Sequence, residues 1–129
     1  MRDPKGACVD ATNCDYERWT VCAFDGQDVA TQVKFLDCMD APWDEPLTER
    51  KPVSCARNIT GVDVGAMKTC FKGTRGDELL KEASQAFVKA FPKPTYMPQV
   101  TVDGTIVDAD YDDVKKAVCE GGCDAPACK

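Results

Sequence analysis

The sequence predicts an α+β fold, mostly helical, ending in a C-terminal β-hairpin and a final helix and rich in disulfides. Three observations carry this. Nine cysteines stand in 129 residues, a density far above ordinary usage. Apolar residues recur at three-to-four spacing along several stretches, the period of a helix with one buried face. Two β-branched runs flank Asp103-Gly104, the two-residue turn that closes a twisted hairpin.

Along the chain, Asn13 is placed to cap a helix from Cys14 to about Phe24, with Asp15 and Glu17 in the first turn, where the helix dipole favours anions. Asp25-Gly26 ends it. A second helix is expected from about Gln27 to Cys38, burying Val29, Val33 and Leu36 together with Phe35 and Cys38. That arrangement puts Cys22 and Cys38 within reach of each other between the two helices. Residues 40 to 54 hold Pro42, Pro46 and Pro52 among Asp44, Glu45, Glu49, Arg50 and Lys51, and read as a loop that buries little. One or two short helices follow between Ser54 and Phe71, the better one starting near Asp63 and presenting Val64, Met67, Cys70 and Phe71. Gly73 is expected to end it in a left-handed cap.

The strongest helical pattern starts at Gly76-Asp77, where Leu79, Leu80, Ala83, Phe87, Ala90 and Phe91 share a stripe, and Pro92 and Pro94 stop it. The hairpin pairs Gln99–Val102 with Thr105–Val107. Asp110 caps a last helix with Asp112 and Asp113 early and Lys115 and Lys116 late, before Gly121-Gly122 and a cysteine-bearing tail over 119–129.

Composition bounds the function. The length suits one domain over 1–129, and a chain this short gains from covalent staples. Sixteen basic residues against twenty-two acidic ones leave a net charge of −6, which disfavours phosphate backbones, so no nucleic-acid partner is expected. No apolar run reaches the roughly 18–20 residues of a membrane span. The cysteine density points to an oxidising compartment: lysosomal, secreted, or an organelle lumen such as that of thylakoids. Asn58-Ile59-Thr60 is a glycosylation triplet that agrees with a secretory route.

All nine cysteines, Cys8, Cys14, Cys22, Cys38, Cys55, Cys70, Cys119, Cys123 and Cys128, are candidates for structural disulfides, and the odd number leaves at least one without a mate in the chain. The successive gaps hold 5, 7, 15, 16, 14, 48, 3 and 4 residues, so there is no Cys-x-x-Cys. Cys119-Glu120-Gly121-Gly122-Cys123 comes nearest, at a helix C-terminus whose negative dipole end raises a thiol pKa and dulls its reactivity. Zinc is disfavoured by the spacing of Cys119, Cys123 and Cys128 and by the lack of histidine. The acidic group Asp108, Asp110, Asp112 and Asp113 lacks the glycine and closing glutamate of a calcium loop. No cofactor or metal is expected, nor a serine hydrolase, which would need a histidine base. Gly73-Thr74-Arg75-Gly76 lacks the strand and lysine of a phosphate loop and reads as a turn between helices.

Several segments, taken together, carry a likeness. Tyr16-Glu17-Arg18-Trp19-Thr20-Val21-Cys22-Ala23 follows Cys8 and Cys14. Then come Phe35-Leu36-Asp37-Cys38-Met39-Asp40, Cys70-Phe71-Lys72-Gly73-Thr74-Arg75-Gly76, and Tyr96-Met97-Pro98-Gln99-Val100-Thr101-Val102-Asp103-Gly104 with Val118-Cys119 downstream. In order and spacing, over most of residues 8 to 128, these resemble the gamma-interferon-inducible lysosomal thiol reductase family. The resemblance implies an incomplete thioredoxin-like domain with a helical insertion, in which Pro98 is the cis-proline beside the redox site.

The departures bear on activity. The family's Cys-x-x-Cys precedes the region matched here, and Cys8-Val9-Asp10-Ala11 stands in place of its Cys-Gln-His-Gly signature. The expectation is therefore a chain lacking the first strand and helix of that fold, acting as a non-catalytic binding or structural subunit, for example of a large assembly. A protein partner would cover the sheet edge left open. The alternative is a fragment of a thiol-disulfide reductase whose Cys-x-x-Cys lies upstream.

Overall fold

The computed structural model describes residues 14–43, 49–91 and 98–129. Cys8, Asn13, Asp44, Glu45, Pro46, Pro92, Pro94, Tyr96 and Met97 lie outside the described residues. The chain divides into two compact units, residues 1–90 and 91–129. The architecture is mostly helical, with six α-helices, a two-stranded antiparallel sheet and several disulfides among the described residues.

The first unit is built on α1 (Cys14–Phe24), which meets the other four helices of the unit. Trp19, Cys22 and Ala23 fall at i, i+3 and i+4, and all three are buried, as the helical period requires of a central helix. Asp28 caps α2 (Val29–Asp40), its Oδ1 accepting from the Thr31 amide at 2.7 Å. Asp63 caps α4 (Val64–Lys72) in the same way, accepting from Ala66. The core is a cluster of Trp19, Phe35, Met39, Val53, Ala56 and Met67 with the buried cysteines. Trp19 stacks on Phe71 with ring centroids 3.9 Å apart, and Phe24 meets Phe35 edge-on at 6.3 Å.

Four expectations for this unit are corrected. In α2 the buried side chains are Phe35 and Met39, whereas Val29, Val33 and Leu36 are exposed, Val29 at 72%. Both sets have helical spacing. Phe35 and Met39 fill the core, and the Val29, Val33 and Leu36 stripe, rotated about 100° away, faces outward.

The stretch read as a loop ends in α3 (Arg50–Arg57), with Lys51, Pro52 and Val53 buried. Pro52 is the third helical residue, and the first intrahelical bond runs from the Val53 amide to Glu49. Its missing N–H would thus have had no partner, and the helix tolerates it. Gly73 is extended, at φ −102° and ψ −177°, not left-handed. It is a one-residue joint between α4 and α5 (Thr74–Ala90), which starts at once and leaves no room for a capping turn.

Gly76 has a stricter reason to be glycine. A Cβ there would lie 2.9 Å from the Cys70 carbonyl oxygen and 3.1 Å from Arg18 Cγ, so α5 can approach α1 and α4 this closely only without a side chain. Leu80 and Ser84 continue the packed face; of the predicted stripe Leu80 is buried, Leu79, Ala83 and Phe91 are half-buried, and Phe87 and Ala90 are exposed.

The second unit forms as the turn chemistry dictates. β1 (Val100–Val102) and β2 (Thr105–Val107) pair antiparallel in the register Val100 to Val107, Thr101 to Ile106 and Val102 to Thr105. Asp103 and Gly104 both have positive φ, 48° and 82°, the twisted two-residue turn that suits a hairpin. Asp110 caps α6 (Tyr111–Glu120), accepting from the Asp112 amide, and α6 packs on the hairpin. Lys115 and Lys116 sit in the middle of α6; its last turn carries no base. The tail folds back in a short 3₁₀ turn, Pro126–Cys128.

Candidate functional site: the cysteines and the hairpin edge

Cys22 and Cys70 face each other across α1 and α4 with Cα atoms 5.7 Å apart, and are joined. Cys38 and Cys55 join α2 to α3 at the same Cα separation. Cys119 at the end of α6 is bonded to Cys128, Cα atoms 5.3 Å apart. Cys14 is also in a disulfide. Cys123 carries a free, exposed thiol.

One expected juxtaposition is replaced by these. Cys22 and Cys38 do not meet. Cys22 lies two residues before the end of α1 and Cys38 nine residues past the start of α2. At 1.5 Å per residue, the tight turn between the helices leaves them about 10 Å out of step. Cys119 does not pair with Cys123 either. Gly122, at φ 88°, reverses the chain after α6, and the 3₁₀ turn returns Cys128 to Cys119.

The Cys22–Cys70 bridge sits in the core rather than in a cleft, and Cys38–Cys55 reaches it through the buried Cys55, with Cys38 half-buried against it. Cys55 is 1% exposed, and Cys22 and Cys70 are also buried, which denies an attacking thiolate the in-line approach to sulfur that exchange requires. The pair Cys119–Cys128 lies instead at the rim of a shallow depression of about 310 Å³, with Asp112, Lys115, Lys116 and Lys129 around it.

The hairpin supplies the other candidate surface. Among the described residues the sheet has two strands. Val102 and Thr105 flank the turn as a hydrogen-bonded pair, as do Val100 and Val107, so the Thr101 and Ile106 backbone groups point outward along the two edges. Val100, Val102 and Val107 are half-buried, but Ile106 is 67% exposed on the opposite face. Pro98 is exposed just before β1. Its bond to Met97, on which a cis-proline depends, lies outside the described residues. Asn58 is exposed at the C-cap of α3.

Polar groups with no sequence-level signal complete the first unit. Arg75 Nε and Nη2 donate to both Asp25 carboxylate oxygens at 2.9 and 2.8 Å, linking α5 to the turn after α1. The guanidinium holds the Asp25 carboxyl below its usual range, chiefly through those hydrogen bonds, and Asp25 raises Arg75 in turn. Arg18 is ion-paired with Asp77, donates to the Phe71 carbonyl oxygen at 3.2 Å, and lies over the Phe71 ring. Lys51, 4% exposed, donates through Nζ to the Ala41 carbonyl oxygen at 2.6 Å, at the C-terminus of α2. The Tyr16 hydroxyl donates to Met39, and burial, with Asp40 nearby, pushes its pKa up. These are long-range contacts, 50 or more residues apart for the two arginines, so no local spacing announces them.

Comparison with protein-family models, curated proteins and solved structures finds no match.

Proposed function

We propose that this chain is a non-catalytic, disulfide-stabilised binding or structural subunit of an oxidising compartment, and that its second unit is the C-terminal part of an incomplete thioredoxin-like domain related to the lysosomal thiol reductases. The observation that carries the reading is the placement of Cys22–Cys70 and Cys38–Cys55: each ties two helices together, the first inside the hydrophobic core and the second against it. Dithiol exchange works through an accessible low-pKa thiolate with a second cysteine close by to resolve the mixed disulfide. The free thiol among the described residues, Cys123, follows a helix C-terminus and stands in a chain without Cys-x-x-Cys.

The hairpin–helix order supports the thioredoxin-like reading, since a hairpin followed by a helix packed on one face is how that fold ends. It also supports a protein partner. A two-stranded hairpin is marginal by itself, and the described residues of this unit include none that is buried. An added strand along Thr101 or Ile106 would satisfy the outward backbone groups and cover Ile106.

The test is turnover. The protein is purified from its native source and given a disulfide-bonded substrate with a small dithiol, and substrate reduction is followed. The expected rate equals that of the dithiol alone. Acceleration that is abolished by thiol alkylation, in a native form that carries an upstream Cys-x-x-Cys, would replace this reading with a thiol-disulfide reductase.

A further inference from the structure

We propose that Asn58 carries an N-linked glycan, an inference that rests on the oxidising compartment proposed above and narrows it to one served by the secretory route. The triplet Asn58-Ile59-Thr60 has the acceptor chemistry, and the fold presents it. α3 ends at Arg57, and the Asn58 backbone is tied down at the C-cap, its N–H donating to the Cys55 carbonyl oxygen at 3.1 Å. Ile59 turns inward and packs against the core cluster. Its neighbours on either side, Asn58 and Thr60, are both exposed, so the triplet's acceptor residues lie at the surface.

The turn is held in place by its surroundings. Gly61, at φ 101°, bends the chain toward the Asp63 cap, and Gln27 Nε2 donates to the Gly61 carbonyl oxygen at 3.1 Å. A glycan on Asn58 displaces no core contact, because the side chain is exposed at the end of its helix. Three residues upstream, Cys55 is already oxidised to a disulfide with Cys38, chemistry of the same lumen in which glycans are transferred.

The transfer uses a lipid-diphosphate-linked oligosaccharide as donor. The Asn58 side-chain nitrogen bonds to the anomeric carbon as the bond from that carbon to the diphosphate oxygen breaks. The lipid diphosphate leaves, and the amide gives up one proton.

The experiment is a peptide map of the native protein, digested without reduction and treated with peptide-N-glycosidase in heavy-oxygen water. The expected result is the peptide spanning residues 58–60 recovered deamidated and heavy-labelled at position 58. In a eukaryotic secretory host, Asn58→Gln and Thr60→Ala are each expected to abolish the gel shift that the enzyme removes, while Thr60→Ser keeps it. A native peptide with unmodified Asn58 overturns the proposal. If the same digest shows the cysteines in disulfides, only the glycan fails and the oxidising compartment stands. If it shows free thiols at Cys22, Cys38, Cys55 and Cys70, the reading beneath it fails as well.

Discussion

Removing the Cys22–Cys70 bridge is the perturbation that bears hardest on how this chain holds together. The bridge spans 48 residues and the Cys38–Cys55 bridge 17, the second nested inside the first. In the chain-entropy account, closing a 48-residue loop contributes about 4 kcal/mol and a 17-residue loop about 3 kcal/mol. With the inner bridge intact the outer loop shortens to about 31 residues, 48 less the 17 already closed, which lowers its share only to about 3.7 kcal/mol. That is a large part of the roughly 5–15 kcal/mol that separates folded from unfolded domains.

The Cys22→Ala/Cys70→Ala variant should therefore lose about 4 kcal/mol, and Cys38→Ala/Cys55→Ala about 3 kcal/mol. Urea titration under non-reducing conditions measures both. Trp19 is a suitable probe, since it is buried and stacked on Phe71 within the unit being tested. A loss below about 1 kcal/mol for the outer bridge, or a larger loss for the inner one, would refute the loop-entropy reasoning.

Three further outcomes follow from named contacts. Gly76→Ala should destabilise by about 1–2 kcal/mol in the same titration, because the clash with the Cys70 carbonyl and the Arg18 stem outweighs the gain of about 1 kcal/mol in helix propensity. Lys51→Met should cost about 1 kcal/mol by losing the hydrogen bond to Ala41, and Lys51→Glu should melt lower still, since it sets an anion at the C-terminus of α2. Asp25 is held below its ordinary value by Arg75, so that pair's contribution is complete above the unfolded carboxyl's pKa of about 3.9 and is lost as the pH falls through the lower folded value. Asp25→Asn should accordingly be less stable than the wild type at neutral pH and low salt, and the two melting curves should converge below about pH 4.

Local chemistry was legible where it acts alone. The Asp110 cap, the helix start at Asp63 and the Asp103-Gly104 turn sit where they were expected, because each satisfies a neighbouring amide or sets a backbone angle without outside help. The bounds of α1 and the hairpin register follow from the same short-range rules. The misreading of the buried face of α2 involves partners distant in sequence. Val29, Val33 and Leu36 have as good a helical period as Phe35 and Met39, and only the arrival of α1 and α3 decides which stripe is covered.

Pro52 reads as a breaker until the helix start is known to place it in the first turn. Gly73 invites a left-handed cap, but the immediate start of α5 removes the residues that such a cap needs. The cysteine pairing was not legible at all. Spacing admits hundreds of arrangements, and the one adopted depends on α4 packing against α1 and α3 against α2. The candidate site shared that fate: Cys119 and Cys123, nearest in sequence, are separated in function by the return of Cys128.

The most direct test of the non-catalytic reading is a thiol map of the native protein, taken first without reductant and again after mild reduction. The account predicts that alkylation labels Cys123 at once, and that Cys22–Cys70 and Cys38–Cys55 stay joined under conditions that open exposed bridges. A core bridge that opens and re-forms in step with oxidation of an added dithiol would contradict it, and would make the buried cysteines a working redox pair.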